Sequence, residues 1–246
     1  MRLRHSLLLP IGLCLFLLAV DAAITMGLVS SMVSFLHHNG RGPFAVAPAD
    51  GSPFPLTGLP ANLVVDQGHT ANAAGGTALI LIGFGGSIAL WLERRSRKKW
   101  DRSSPFFHIW AVFVLLSWLL TMVALIYTFV ETAKTGGQVI DLSVARANPP
   151  PARYPDGRWT PENWYAAVLD LPLASAAQRR VINGNLTIMR AWRWNLVPLF
   201  ILGFILLSLV VVELLRMRRR DAQPVSMVEV LAGPFKRPSS RGGVVH

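Results

Sequence analysis

Cysteine and charge are both scarce in this chain of 246 residues. The single cysteine, Cys14, lies inside an apolar run, so the chain cannot form an intramolecular disulfide in any compartment. Charged residues make up only 15% of the sequence, whereas an average soluble domain has about 25%. Apolar residues take their place, because 52% of the chain is hydrophobic and its mean hydropathy is +0.43. This composition excludes an ordinary soluble domain.

The motifs of the common enzyme classes are also lacking. The sequence has no HExxH, GxSxG, P-loop or dinucleotide-binding glycine pattern, and no Cys/His pair that would supply a nucleophile and its base. The glycine-rich run at residues 83–86 resembles a phosphate loop only superficially, because it lies in the middle of an apolar segment. His37, His38 and His69 lack the spacing of metal ligands. We therefore expect no enzymatic activity, no cofactor and no metal.

Long apolar runs account for the composition. Four of them carry few charges or none, at residues 6–36, 75–92, 106–130 and 194–215. About 20 apolar residues cross the ~30 Å of hydrocarbon in a bilayer, and a chain in lipid must pair its backbone groups within the segment. The sequence therefore predicts an all-α fold, an integral membrane four-helix bundle. The remaining predicted parts are a short N-terminus (1–5), a first outer loop (37–74), a basic inner loop (93–105), a second outer loop (131–193) and a disordered basic tail (216–246).

The distribution of lysine and arginine predicts the orientation of the spans. With a cytosolic N-terminus, the inner segments hold fifteen of the 24 Lys and Arg residues, and the outer loops hold nine. The inner loop 93–105 decides the matter, because the reversed topology would carry its six basic residues across the membrane. We expect both termini in the cytosol, where anionic inner-leaflet lipids rather than nucleic acid attract this charge. The basic residues assigned to that surface are Arg94, Arg95, Arg97, Lys98, Lys99, Arg218, Arg219 and Arg220.

The first run leaves one alternative open. Residues 1–20 also resemble a signal peptide, with Val20 and Ala22 at the −3 and −1 positions of a cleavage site. Apolar character continues as far as Leu36, beyond the length of such a signal, and Asp21 lies within the cleavage site. We favour an uncleaved anchor. Cleavage would leave three spans in the same orientation.

Small residues recur at helical spacing in three of the four spans. Such residues let two helices approach closely and gain dispersion contacts. They therefore predict a compact bundle and lateral contacts with other membrane helices. The faces are Ala19, Ala23, Gly27 and Ser31 in the first span; Gly76, Gly83 and Ser87 in the second; and Ser117, Thr121, Ala124 and Thr128 in the third.

Two acids fall within the spans. Asp21 lies deep in the first span, where a carboxylate costs at least ~2.5 kcal/mol unless it faces protein or water. It is either a protonated side chain that hydrogen-bonds a neighbouring helix, or a proton or cation site. We favour the first interpretation because no Lys, Arg or His lies at matching depth in another span. Glu213 lies near the inner end of the fourth span, where its spacing predicts an i,i+3 ion pair with Arg216.

The outer loops carry local signals. The sequence Thr-Pro-Glu at 160–162 places an N-cap, a proline at the first helical position and an acid in the first turn. It predicts a short amphipathic helix over 161–171, on the outer membrane surface or against the bundle. Glycine and proline in the first outer loop predict extended, irregular backbone. Asn185 begins the chain's one N-glycosylation sequon and predicts a glycoprotein.

The general layout resembles small four-span membrane proteins of the MARVEL group and the claudin-like cortical-patch proteins of fungi. The resemblance covers the span count, the topology with both termini inside and the basic inner loop. Claudin-like proteins carry cysteines in the first outer loop and tetraspanins carry them in the second, whereas this chain has none in either. The cysteine-independent MARVEL-type proteins are the least contradicted match. That resemblance implies a role in organising membrane domains or accompanying trafficking.

These features predict a non-enzymatic membrane scaffold or accessory subunit, in the plasma membrane or an endomembrane of the secretory pathway. It would form a homo- or hetero-oligomer with other membrane helices through its small-residue faces. The alternative is a proton- or cation-coupled transporter or channel subunit that uses Asp21.

Overall fold

The computed structural model describes residues 7–49, 51–56, 58–100, 103–147 and 158–221. The predicted N-terminus (1–5) and residues 222–246 of the predicted tail lie outside this range. The helices are α1 (Leu8–His37), α2 (Asp66–Gly76), α3 (Gly85–Trp100), α4 (Pro105–Lys134), α5 (Leu142–Ala147), α6 (Pro161–Asp170) and α7 (Ala176–Asp221), with a 3₁₀ turn at Asn39–Arg41, a π-helical segment at Thr77–Phe84, and two strands, β1 (Phe44–Val46) and β2 (Phe54–Leu56).

Among the described residues, four helices are long and apolar enough to cross a membrane. They are α1, the continuous helix Asp66–Trp100 that joins α2 to α3, α4, and α7. The predicted helical fold and the predicted number of spans are confirmed at this level, and the structure is compatible with a multi-pass membrane protein. The second and fourth helices begin earlier than their apolar runs, at Asp66 and Ala176. Their first turns are polar, so hydropathy does not detect them.

Two of the four long helices each pack against both of the other two. Helix α7 packs against α1 and α4, and the continuous helix Asp66–Trp100 packs against the same two helices. The order around the bundle is therefore α1, α2–α3, α4 and α7. The interior is filled by side chains from all four, including Leu18, Ile82, Val114, Leu199 and Leu206.

A tryptophan on α4 forms a hydrogen bond with the middle of the second long helix. The Trp110 indole N–H donates to the main-chain oxygen of Ile82, within the π-helical segment, at 3.3 Å. Ile82 O also accepts from the main-chain N–H of Gly85, so the indole is a second, buried donor to this carbonyl at the end of the π-helical segment. Gly86 provides room for the ring, because a Cβ atom there would lie 2.7 Å from Trp110 Cζ2 and 2.8 Å from Leu15 Cδ2.

The segments between α1 and α2 and between α4 and α7 fold together at one end of the bundle. We call the described residues of 39–65 and 135–175 the loop module. Strands β1 and β2 form an antiparallel hairpin in which Phe44 pairs with Leu56. Main-chain bonds then join the two segments: Val64 N donates to Trp159 O at 2.7 Å, and Ala47 N donates to Pro172 O at 2.9 Å. The first segment is therefore more regular than its Gly- and Pro-rich composition predicted.

Helix α6 lies inside the loop module. The Thr160 side chain accepts a hydrogen bond from Asn163 N, so it caps the first turn, and Pro161 takes the first helical position. Trp164 and Tyr165 are completely buried. The Trp164 indole N–H donates to Gly58 O at 2.8 Å. Two aromatic rings of the second segment thus form the core on which the first segment folds.

Candidate functional site

The small-residue face of α1 divides into two parts. Ala19 faces the second long helix, where a Cβ atom built on Gly83 would lie 3.2 Å from Ala19 Cβ. Ala23, Gly27 and Ser31 are exposed. Apart from its chain neighbours and the backbone of its own helix, no described atom lies within 4 Å of a Cβ atom built on Gly27. One part of the predicted face makes a close helix contact within the chain, and the other part is open.

The faces predicted on the next two spans differ from each other. On the second, a Cβ atom at Gly76 would lie 3.8 Å from Met26 Sδ, and Gly83 is buried. Ser87 is exposed, and its hydroxyl donates to Gly83 O at 3.0 Å. On the third, the four small residues are all buried and point into the bundle: Ser117, Thr121, Ala124 and Thr128.

Asp21 lies in a polar contact between α1 and α7. Asn195 Nδ2 donates to Thr25 Oγ1 at 2.8 Å and to the main-chain oxygen of Asp21 at 3.3 Å. Within the described part of the chain, the carboxylate oxygen Oδ2 of Asp21 is buried and has no hydrogen-bond partner. Further along the same interface, the Cys14 thiol donates to Leu202 O at 3.6 Å. The Asp21 face of α1 therefore contacts α7, whereas the Gly27 face is open.

The sequence did not reveal Asn195 as the partner of this contact. An asparagine at the start of an apolar run reads as a residue at the membrane edge. Its pairing with Thr25 becomes evident only when the register of α7 against α1 is known. On α1 itself, Thr25 lies one turn from Asp21, and Thr25 Oγ1 donates to Asp21 O at 3.1 Å.

A charged cluster closes the opposite end of the bundle from the loop module. Arg97 Nε donates to Glu93 Oε1, and Arg97 Nη1 donates to Glu213 Oε1, both at 2.7 Å. Both carboxylates are completely buried. Glu93 Oε2 also accepts from Ser104 N at 2.7 Å, and Glu213 Oε2 accepts from Leu7 N at 3.4 Å.

This cluster joins the ends of all four long helices. Leu7 and Ser104 immediately precede α1 and α4, so their N–H groups belong to helix N-termini, whose dipoles favour negative charge. They offset the negative charge that remains when one guanidinium serves two carboxylates. Glu213 thus pairs with Arg97 on another helix, a partner that the sequence did not indicate, and its predicted pair with Arg216 stays a prediction.

The other described basic residues assigned to the inner surface have exposed side chains. Arg94, Arg95, Lys98 and Lys99 on α3 and Arg218 and Arg219 on α7 are exposed. The Arg95 guanidinium lies 5.6 Å from the centre of the Trp91 ring. The side chain of Arg220 lies outside the described part. Arg97 therefore differs from the rest of the predicted set, because its guanidinium is held by carboxylates.

Asn185 of the predicted sequon lies in the first third of α7. Its Nδ2 donates to Val181 O at 2.9 Å, as expected for a side chain that folds back along its own helix. Asn185 lines a shallow cleft with the exposed serines Ser31 and Ser34 of α1. Glycosylation at this position stays a prediction.

A large opening lies where α1 meets the loop module. We call it the loop-end cleft; its volume is about 820 Å³. It is lined by the last three turns of α1, by loop residues and by the first turns of α2. His37, His38 and His69 all border it. Among the described residues, no three His, Cys, Asp or Glu side chains are grouped so that they could hold a metal ion.

Electrostatics in the loop module centre on Glu162 of α6. Arg193 Nη2 lies 3.2 Å from Glu162 Oε1, and Arg190 Nε lies 3.6 Å from it. Burial raises the pKa of Glu162 above its ordinary value, and the two arginines only partly offset this effect. Glu162 thus fastens α6 to α7 at a desolvation cost.

Comparison of the chain with protein-family models, curated proteins and solved structures finds no match.

Proposed function

We propose that this protein is a non-enzymatic, multi-pass membrane scaffold or accessory subunit that assembles laterally with another transmembrane helix through Ala23, Gly27 and Ser31 of α1. The observation that carries the proposal is the division of the small-residue face. Where Ala19 has a partner, the helices come into close contact at Gly83. The exposed part continues the same spacing with no partner. Small residues in lipid gain their packing energy only when another helix covers them.

The charged cluster favours a scaffold rather than a transporter that changes conformation. Arg97, Glu93 and Glu213 join the four long helices at one end, and the loop module joins them at the other. A bundle fastened at both ends presents the open face of α1 in a fixed orientation. Alternating access would require part of the bundle to rock against the rest.

The proposed orientation places the charged cluster and both termini in the cytosol. Seven exposed basic residues of the described part gather at that end of α3 and α7, the six named above and Arg216. Anionic lipid attracts each by about 1 kcal/mol. The loop module then faces the lumen or the exterior. The layout resembles MARVEL-type proteins, and by that resemblance we propose a role in organising membrane domains.

The second candidate function is proton- or cation-coupled transport that uses Asp21. The observation in its favour is the buried oxygen Oδ2 without a partner, since a buried unpaired acceptor costs free energy that a bound proton or cation would relieve. The contact with Asn195 and Thr25 favours a structural role instead. Flux into proteoliposomes that is lost in Asp21→Asn would support transport, and flux equal to that of the unaltered protein would remove it.

Lateral assembly is tested with the full-length protein extracted in mild detergent. Blue-native electrophoresis should show a complex larger than the monomer. Gly27→Leu should shrink this complex because the larger side chain holds the partner helix away. Ser208→Leu is the matched control, since Ser208 is also exposed on a spanning helix but lies on α7. A monomer in the unaltered protein, or a complex that both Gly27→Leu and Ala23→Leu leave intact, would overturn the proposal.

A further inference from the structure

The loop-end cleft has a long apolar wall. Its volume of about 820 Å³ lies within the range of pockets that hold drug-sized ligands. Helix α1 supplies one side of the wall, and the residues before α2 supply the other. The apolar side chains that matter here are Val29, Val33 and Leu36 of α1, with Leu59, Leu63 and Val65 opposite.

The mouth of the cleft at the loop module is polar and basic. Arg41 Nη2 lies 3.3 Å from His37 Nδ1; because arginine only donates, this nitrogen accepts and His37 Nε2 carries the proton. His69 lies on the same rim. Among the residues that the structure describes there, none is Asp or Glu. The fixed charge at the mouth is therefore positive, with N–H donors beside it.

The geometry points to a single phospholipid with an anionic headgroup as the occupant of the loop-end cleft. The part of α1 that forms the wall belongs to an apolar helix long enough to span a membrane, so the cleft opens toward lipid along its side. One acyl chain lies along the wall near Val29 and Val33. The phosphate lies at Arg41, whose guanidinium matches phosphate oxygens in both charge and geometry.

Other occupants leave part of the cleft unused. A small soluble anion would pair with Arg41 but leave the apolar wall in contact with water. A plain hydrocarbon would cover the wall but leave the basic mouth without a counter-charge. A neighbouring transmembrane helix would cover the apolar wall, but it would leave the basic mouth unpaired unless it carried an acidic residue beside Arg41. An anionic phospholipid covers the apolar wall and pairs with the basic mouth.

The site is separate from the proposed assembly face. Ala23, Gly27 and Ser31 do not line the cleft, whereas Ser30, one turn after Gly27, does, so the two surfaces adjoin on α1 without sharing a residue. Loss of lipid binding and loss of lateral assembly can therefore be told apart by variant.

The experiment is native mass spectrometry of the full-length protein from mixed micelles with phosphatidylglycerol and phosphatidylcholine of identical acyl chains. The unaltered protein should retain one phosphatidylglycerol in preference to phosphatidylcholine. Arg41→Gln should reduce that preference roughly tenfold, the size expected for one charge-assisted contact, because both lipids carry a phosphate but only phosphatidylcholine adds a positive choline ammonium beside Arg41. Arg180→Gln is the matched control, because Arg180 is an exposed arginine on α7 that does not line the cleft.

A second variant tests the apolar wall without touching the charge. Ser30→Trp places a large ring in the cleft and should reduce retention of both lipids, while unchanged thermal unfolding shows that the protein is folded. Equal retention of the two lipids in the unaltered protein would mean an annular lipid only. That result would overturn the proposal, and so would lipid retention that neither variant alters. It would also be overturned if Ser30→Trp changed the oligomeric state without changing lipid retention.

Discussion

Arg97 of α3 and Glu213 of α7 are 116 positions apart in the chain, and their side chains meet at 2.7 Å. The same guanidinium reaches Glu93, one turn earlier on its own helix. Because both carboxylates are completely buried, their charge is balanced by this arginine together with hydrogen bonds from main-chain N–H groups and from the Ser103 hydroxyl. The stability of the whole bundle end should therefore depend strongly on Arg97.

We expect Arg97→Met to lower the free energy of unfolding by about 3 to 5 kcal/mol, because two buried carboxylates lose their counter-charge. Thermal unfolding in detergent, followed by dye binding or by tryptophan fluorescence, measures the loss. The control is Arg94→Met, since Arg94 is exposed on the same helix and should change stability by no more than about 0.5 kcal/mol. Equal Tm values for the two variants would contradict the role given to Arg97.

Gly86→Ala should destabilise the bundle by about 1 to 3 kcal/mol, the usual cost of overpacking. The added Cβ atom would lie 2.7 Å from the Trp110 ring, and the ring cannot withdraw without losing its hydrogen bond to Ile82 O. Thermal unfolding again provides the measurement. The matched control is Gly85→Ala on the neighbouring residue, where the nearest atom to a new Cβ lies at 4.0 Å. Two variants of the same stability would show that Gly86 does not limit packing.

The raised pKa of Glu162 has a consequence for stability against pH. A carboxyl with a raised pKa binds a proton more tightly in the folded state than in the unfolded state. Its contribution is therefore most favourable at low pH, and it declines as the pH rises through the ordinary glutamate value to the raised one.

Glu162→Gln removes this titration. Unfolding measured from roughly pH 4 to 7 should show that the difference in Tm between the unaltered protein and Glu162→Gln becomes less favourable to the unaltered protein as the pH rises. Parallel curves would mean that Arg190 and Arg193 offset the burial completely.

Cysteine labelling tests the proposed orientation. In a Cys14→Ser background, Val139→Cys in the loop module should react with a membrane-impermeant maleimide on intact cells, because Val139 is 71% exposed. Lys98→Cys at the basic end should react only after the membrane is permeabilised. The opposite pattern of labelling would place the basic end outside and reverse the topology.

Periodicity and hydropathy predicted the parts of this fold that local sequence determines. Four apolar runs correspond to four long helices, because a helix in lipid needs a continuous apolar stretch. The ends of the helices were harder to predict from hydropathy. Residues 66–74 and 176–193 are polar, and they are helical because packing against the rest of the protein stabilises them.

Contacts between distant segments could not be predicted from the sequence alone. The Trp164 indole N–H and its acceptor Gly58 O are separated by 106 positions, and the loop module depends on such bonds. The small-residue face on α1 was visible as a pattern, but the pattern did not show that Ala19 meets Gly83 while Gly27 meets nothing. Which part of a helical stripe is covered depends on the crossing point of the helices, and this point is set by tertiary packing.

Helix α7 extends well beyond what a bilayer requires. Its 46 residues correspond to about 69 Å of helix, against ~30 Å of hydrocarbon. Glu162 couples its first half to the loop module through Arg193, and Glu213 fixes its last third to Arg97. One helix is therefore held at two distant points, so a change of tilt imposed at the loop module displaces Glu213 relative to Arg97 at the opposite end of the bundle.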